Sequence, residues 1–237
     1  MNILVTGASR GIGRAIAVRL AAPGHRIVVN YLRNEEAAAQ TAALVAARGA
    51  EPLLVQADVR SPEDLKRLAG ALPSVDALIH NAALGVLKPA MEIRVNQWDL
   101  TLETSLRPFW LLTKLAPLAE GASVIGLSSL GSRQFTPGYA AMGAAKAGVE
   151  ALTRQLAVEL APRRVRVNTV CGGLIETDTL QYFPQKAELL AWATGATPLG
   201  RVGQPEDLAG AVALLLSPDA AWITGQVLVV DGGLSLV

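Results

Sequence analysis

The sequence predicts an α/β fold: a single doubly wound domain with a seven-stranded parallel sheet and a small helical lid. Three observations carry that prediction. Short runs of Val, Ile and Leu alternate with longer helical patterns from end to end, and near-continuous apolar runs suit parallel strands buried on both faces. A glycine-rich turn, "TGASRGIG" at 6–13, joins the first run to the first helical pattern. At 237 residues, with 17% charged and about half apolar, the chain suits one domain with a substantial core.

Taken in order, the strands are "NILV" (2–5), "RIVVN" (26–30), "PLLVQ" (52–56), "ALIH" (77–80), "SVIGL" (123–127), "RVNTV" (166–170) and "VLVV" (227–230). Helical patterns fill the gaps: "GRAIAVRLAA", "EEAAAQTAALVAARG", "SPEDLKRLAGAL" and "PEDLAGAVALLLS" among them. The last two carry Pro-Glu-Asp at the start, where proline fits the first turn and acids favour the helix N-terminus. With no repeat, low-complexity tract or linker, residues 1–237 read as one nucleotide-binding domain. The aromatic, polar and Pro/Gly-rich stretch 176–204 breaks the alternation and reads as a lid over the sheet's carboxyl edge.

Composition excludes several classes. A net charge of +1 without basic runs leaves no electrostatic footprint for nucleic acid or an anionic membrane. One cysteine permits no internal disulfide, and His25 and His80 lack ligand-like spacing, so no metal is expected. No leader pattern or long apolar run is visible, which gives a cytoplasmic expectation with no membrane span.

Gly7, Gly11 and Gly13, with Ser9, Arg10 and Ile12 between them, lie where a strand meets a helix. That context lets backbone N–H groups at a helix N-terminus receive a pyrophosphate. The end of the second strand offers Asn30, Tyr31 and Arg33 but no carboxylate. Arg33 and Arg10 suit a ribose 2′-phosphate, so NADPH is the expected cofactor. Glu35 is the rival group, and it belongs to the first turn of the next helix.

Together with Asp58-Val59, "HNAA" (80–83), "SSLG" (128–131), "VRVNTV" (165–170) and "TGQVLVVDGG" (224–233), these residues resemble the short-chain dehydrogenase/reductase family along the whole chain. The resemblance implies a Rossmann fold, with Asp58 and Val59 at the adenine and Asn81, Ala82 and Ala83 lining the cofactor. It further implies Ile175 and Thr177 at the nicotinamide carboxamide, Lys146 at the nicotinamide ribose, and a homotetramer. Two positions depart from the family. Met142 stands where the acid–base tyrosine belongs, four residues before Lys146, and a thioether donates no proton. Ser105 replaces an asparagine of the central helix that helps hold a relay water.

Tyr139, seven residues before Lys146, offers another phenol. At about 100° per residue a seven-residue step misses alignment by roughly 20°, so both side chains share one helix face about a turn apart. Tyr-x6-Lys resembles the enoyl-acyl-carrier-protein reductase III (FabL-type) branch, as do "AALGVLKPAME", "SSLGSRQFTPGY", "ALTRQLAVELAP" and "CGGLIETDTLQYFP". That branch implies NADPH-dependent reduction of enoyl thioesters in fatty acid synthesis, free or on acyl carrier protein. Tyr139, Lys146 and Ser129 are then the catalytic candidates, with Ser128 the weaker serine. Leu180, Tyr182, Phe183, Leu189 and Trp192 are candidates for an acyl-chain wall, and Arg133 or Arg201 for carrier contacts. Two alternatives stand beside this reading: a 3-oxoacyl or general carbonyl reductase using Tyr139, and an NADP-binding protein without catalysis.

Overall fold

The computed structural model describes residues 1–177 and 186–237. Its centre is a seven-stranded, all-parallel sheet in the order β3-β2-β1-β4-β5-β6-β7. The strands are β1 Asn2–Val5, β2 Arg26–Tyr31, β3 Glu51–Gln56, β4 Val75–His80, β5 Leu118–Ser129, β6 Arg166–Gly172 and β7 Val227–Val230. The helices are α1 Gly11–Leu20, α2 Glu35–Ala46, α3 Pro62–Ala69, α4 Val95–Ser105, α5 Arg107–Leu115, α6 Ala140–Leu160, α7 Lys186–Ala196 and α8 Pro205–Leu216. Every expected strand is present. β5 begins earlier than its apolar run because "LAEGA" joins it, with a register shift against β4 between Val75 and Ala77.

The two-residue period of the strands divides the core into two layers. Ile3, Val5, Ile27 and Val29 pack with Ile16 of α1, Val45 of α2 and Val212 of α8. Leu4, Val28 and Leu78 point the other way, against Leu65 of α3, Phe109 and Leu112 of α5 and Val149 of α6. Each such fully buried aliphatic side chain contributes roughly 1.5–3 kcal/mol relative to exposure. The strand order reverses beside β1, where β2 lies on one side and β4 on the other. Loops leaving β1 and β4 therefore part, and a crevice opens at their carboxyl ends, the usual ligand position in such sheets.

Of the expected lid, 178–185 lie outside the described residues, and with them the calls on Leu180, Tyr182 and Phe183. On either side, Glu176 N–H donates to Gly203 O (2.8 Å) within the segment, and Leu199 N–H donates to Gly232 O (3.1 Å), tying it to the turn after β7. Among the described residues no helix is long and apolar enough to cross a membrane.

Candidate active site

The β1–α1 loop is held by its own hydrogen bonds. Thr6 Oγ1 accepts the N–H groups of Asn81 and Ala82, each at 3.0 Å. The Asn81 amide donates back to Thr6 O and Gly7 O, both at 3.0 Å. Asn30 Oδ1 receives Gly7 N–H at 3.0 Å, and Arg14 clamps the far side through Ser9 O (2.7 Å) and Thr41 Oγ1 (2.9 Å). Gly13 closes the unit: a Cβ there would lie 2.3 Å from Gly7 O. At the N-cap of α1 Arg10 supplies no capping oxygen, and the first turn holds no acid. Its N–H groups are thus free to meet an anion.

The cationic surround fits a phosphorylated ribose. Arg10 and Arg33 are exposed, and Glu35 occupies the first turn of α2 as expected. Tyr31 is only 8% exposed and packs in the same core layer as Ile27 and Val29, while Val28 between them joins the other layer. Asp58 is bound by Arg60 (2.5 and 3.0 Å), whose guanidinium holds its carboxyl below the usual range, with a smaller contribution from Arg33. Val59 is likewise a core residue, while Ala83 is exposed. Across the cleft the Thr177 methyl lies 3.7 Å from where a Gly11 Cβ would sit, and Ile175 is buried beside it in sequence.

β5 and α6 bring the second group together. Tyr139 is the N-cap of α6, so the helix starts one residue after it rather than carrying it on a helical face. The phenol nonetheless reaches Ser129, with the two hydroxyls 2.9 Å apart. Its ring lies over Gly131, where a Cβ would come within 2.3 Å of Tyr139 Cδ1. Burial raises the phenol above its ordinary value, and the Ser129 hydrogen bond draws it partly back, so it is a neutral donor at physiological pH. Lys146 is buried and donates to Leu127 O at 2.8 Å, and desolvation pulls it down to about 8. Ser128 points away from Tyr139, to Glu150 at 2.8 Å.

The two departures from the family pattern touch each other. Met142 is 8% exposed, and its Sδ sits 3.8 Å from Ser105 Oγ and against the backbone of Gly85. Ser105, fully buried, accepts Leu84 N–H and donates to Leu84 O, both at 3.1 Å. Further along that loop, Lys88 N–H donates to Gly138 O at 2.8 Å. The thioether therefore packs the β4 loop against α6. Arg133 and Arg201, considered for carrier contacts, are instead paired with Glu150 (3.0 Å) and Asp207 (2.7 Å).

His80, behind Lys146, is buried and stacked at an angle on Phe109, with Nε2 donating to Ser105 O at 3.2 Å and Nδ1 without a partner. Burial, reinforced by Lys146, lowers it to about 3. The unfolded chain binds a proton there below its ordinary 6.5 and the folded chain does not, so stability is lost as pH falls through that window. At about 1.4 kcal/mol per pH unit, roughly 2 kcal/mol disappears by pH 5. Urea unfolding at pH 7 and pH 5 should show this loss in the wild type and its absence in His80→Asn; equal losses in both would count against it.

A family model described as "Enoyl-(Acyl carrier protein) reductase" matches residues 7–235. The chain belongs to the short-chain dehydrogenase/reductase family. It is 39% identical to the 1-cyclohexenylcarbonyl-CoA reductase of Streptomyces collinus, covering 99% of this chain and 86% of the relative. To a 3-oxoacyl-acyl-carrier-protein reductase of Synechocystis it is 37% identical, covering 98% and 95%. Among solved structures, the angucycline C-6 ketoreductase LanV with bound NADP superposes with a TM-score of 0.92 at 29% identity, covering 100% of this chain and 96% of the other. The reductase LugOII gives 0.90 at 30% identity, covering 98% and 97%.

Several residues that build this short-chain dehydrogenase/reductase site escape a sequence reading. Thr6 and Arg14 hold the glycine loop, yet a threonine and an arginine beside such a loop carry no distinctive spacing. Glu150 left a signal: an acid four residues after Lys146, within the otherwise apolar "AGVEAL".

Proposed function

We propose that this chain is an NADPH-dependent reductase of the C=C bond in α,β-unsaturated acyl thioesters, built as one domain over 1–237 with 176–204 as its lid. The observation that carries this reading is the Tyr139–Ser129 contact of 2.9 Å, with the Met142 thioether against Ser105. One phenol is thereby offered at the site, from a position the family's ketone reducers do not use. The relative named for a cyclohexenylcarbonyl-CoA substrate adds support, since such a thioester has a C=C conjugated with its carbonyl.

NADPH, when bound, supplies a hydride to Cβ. Gly7, Gly11, Gly13, Ser9 and Ile12 would hold its pyrophosphate, and Arg10 and Arg33 its 2′-phosphate. Asp58 and the Val59 backbone would meet the adenine, and Asn81, Ala82, Ala83, Ile175 and Thr177 the remainder. As hydride arrives, negative charge grows on the thioester oxygen, and Tyr139 donates its hydroxyl hydrogen bond there. Ser129 fixes the phenol's rotation. Lys146 meets the ribose hydroxyls, and its positive charge favours the oxyanion. A proton added at Cα completes the reduction, and the oxygen ends as a carbonyl again.

A second reading, reduction of a 3-oxoacyl thioester, draws on the Synechocystis relative's name and on the same phenol–serine pair, which can also protonate an alkoxide. NADPH oxidation with crotonyl-CoA and acetoacetyl-CoA separates the two. Turnover of acetoacetyl-CoA alone would overturn the first. Met142→Tyr adds a ring against Gly85 and Ser105, not a hydroxyl beside Ser129, so ketone reduction should rise less than about twofold above the wild type; a gain of two orders of magnitude would contradict this packing.

A further inference from the structure

Glu150 is the one buried carboxylate in the described core beneath the phenol, and no step above uses it. It lies on α6 one turn past Lys146 with a residue exposure of 6%. Its Oε1 takes hydrogen bonds from Ser128 Oγ (2.8 Å) and Ser132 Oγ (2.6 Å), and its Oε2 takes one from Arg133 Nε (3.0 Å). Ser132 Oγ also lies 2.7 Å from Ser129 O. All three donors come from the stretch 128–133, which leaves β5 through Ser129 and passes through the 3-10 turn Leu130–Ser132. That stretch carries both parts of the phenol's seat: the Ser129 hydroxyl and the Gly131 backbone under the Tyr139 ring.

Burying a carboxylate is costly unless its oxygens are satisfied. Here they are satisfied by the strand end and turn that seat the phenol. We propose that Glu150 is a positioning residue: it gathers Ser128, Ser132 and Arg133 so that the 129–132 turn holds Ser129 and Gly131 in one place, and with them the Tyr139 hydroxyl. The inference rests on the proposed role of Tyr139. Glu150 touches neither the glycine loop nor the Lys146 ammonium, so its effect falls on turnover and not on cofactor binding. A displacement of the phenol by about 1 Å suffices for a loss of about a hundredfold in rate.

The test is a double-mutant cycle on the full chain with NADPH and crotonyl-CoA. Glu150→Ala should lower kcat by about ten- to a hundredfold while the Kd for NADPH, read by its fluorescence, stays within about threefold. Glu150→Gln keeps the acceptor for Ser128 and Ser132 and should recover much of that loss. Ser132→Ala removes only the hydroxyl shared between Glu150 Oε1 and Ser129 O, provides a variant with little risk to folding, and should not add to Glu150→Ala. In a Tyr139→Phe background, Glu150→Ala should lower the residual rate by less than twofold, because the group it positions is already gone. An equal fractional loss in both backgrounds, or a parallel loss of NADPH binding, would overturn the positioning role. Wild-type turnover by Tyr139→Phe itself is a different result: it removes the Tyr139 reading, and this inference with it.

Discussion

Tyr139→Phe is expected to lower kcat for an enoyl thioester by about 10²- to 10³-fold, the effect of removing one preorganised donor from a developing oxyanion. The substitution deletes only the hydroxyl. The ring keeps its seat over Gly131, and Tyr139 remains the N-cap of α6, where its backbone carbonyl receives Gly143 N–H at 2.6 Å. Affinity for NADPH should therefore change by less than a few-fold, because the loop from Thr6 to Gly13 shares no hydrogen bond with Tyr139. A kcat loss with unchanged binding marks an interaction made chiefly in the transition state. Ser129→Ala should fall between, since the phenol survives without its partner. A parallel loss of cofactor affinity in Tyr139→Phe would show that the ring supports the cleft and would weaken the assignment of the hydroxyl.

Gly13→Ala carries the largest expected effect on binding. The added methyl would stand 2.3 Å from Gly7 O, 2.9 Å from Gly7 C and 2.6 Å from the Asn81 amide nitrogen. No flexible side-chain end can yield there, because two of those atoms are backbone and the third is held by Thr6 O and Gly7 O. The start of α1 must draw away from the loop, parting the N–H groups that would receive the pyrophosphate. NADPH affinity should drop sharply, with a stability cost of about 1–3 kcal/mol from overpacking. Fluorescence titration and urea unfolding together read both. Retained affinity would mean that the pyrophosphate does not rest on this helix end.

The layered sheet was legible because its signals are local. Apolar runs such as "NILV" and "VLVV" map directly to strands, and "TGASRGIG" places the first crevice loop. Which layer a residue at a strand's end joins is not legible until its register with the core is known: Ile27, Val29 and Tyr31 share one layer and Val28 joins the other. Tyr139 was found by spacing, but its place at the helix cap was not, since Pro137-Gly138 permits a start at either residue. The contact between Met142 and Ser105 lies beyond any local reading. They are 37 positions apart and meet only because α4 packs on α6 beneath the β4 loop. Glu150 is similar in kind: the acid stands out as a letter, but its partners Ser128, Ser132 and Arg133 lie 17 to 22 positions away, so its role does not. The arginines at 133 and 201 look free as letters and are paired in space.

The central claim is that Tyr139 serves reduction of a carbon–carbon bond. Its most direct measurement follows the transferred atom: NADPH deuterated at the reactive C4 position is mixed with crotonyl-CoA, and separately with acetoacetyl-CoA, and each product is located by mass spectrometry. The expected result is butyryl-CoA carrying deuterium at Cβ, formed by the wild type and nearly lost in Tyr139→Phe. Deuterium appearing only in 3-hydroxybutyryl-CoA from the ketone, with crotonyl-CoA recovered unchanged, would contradict it.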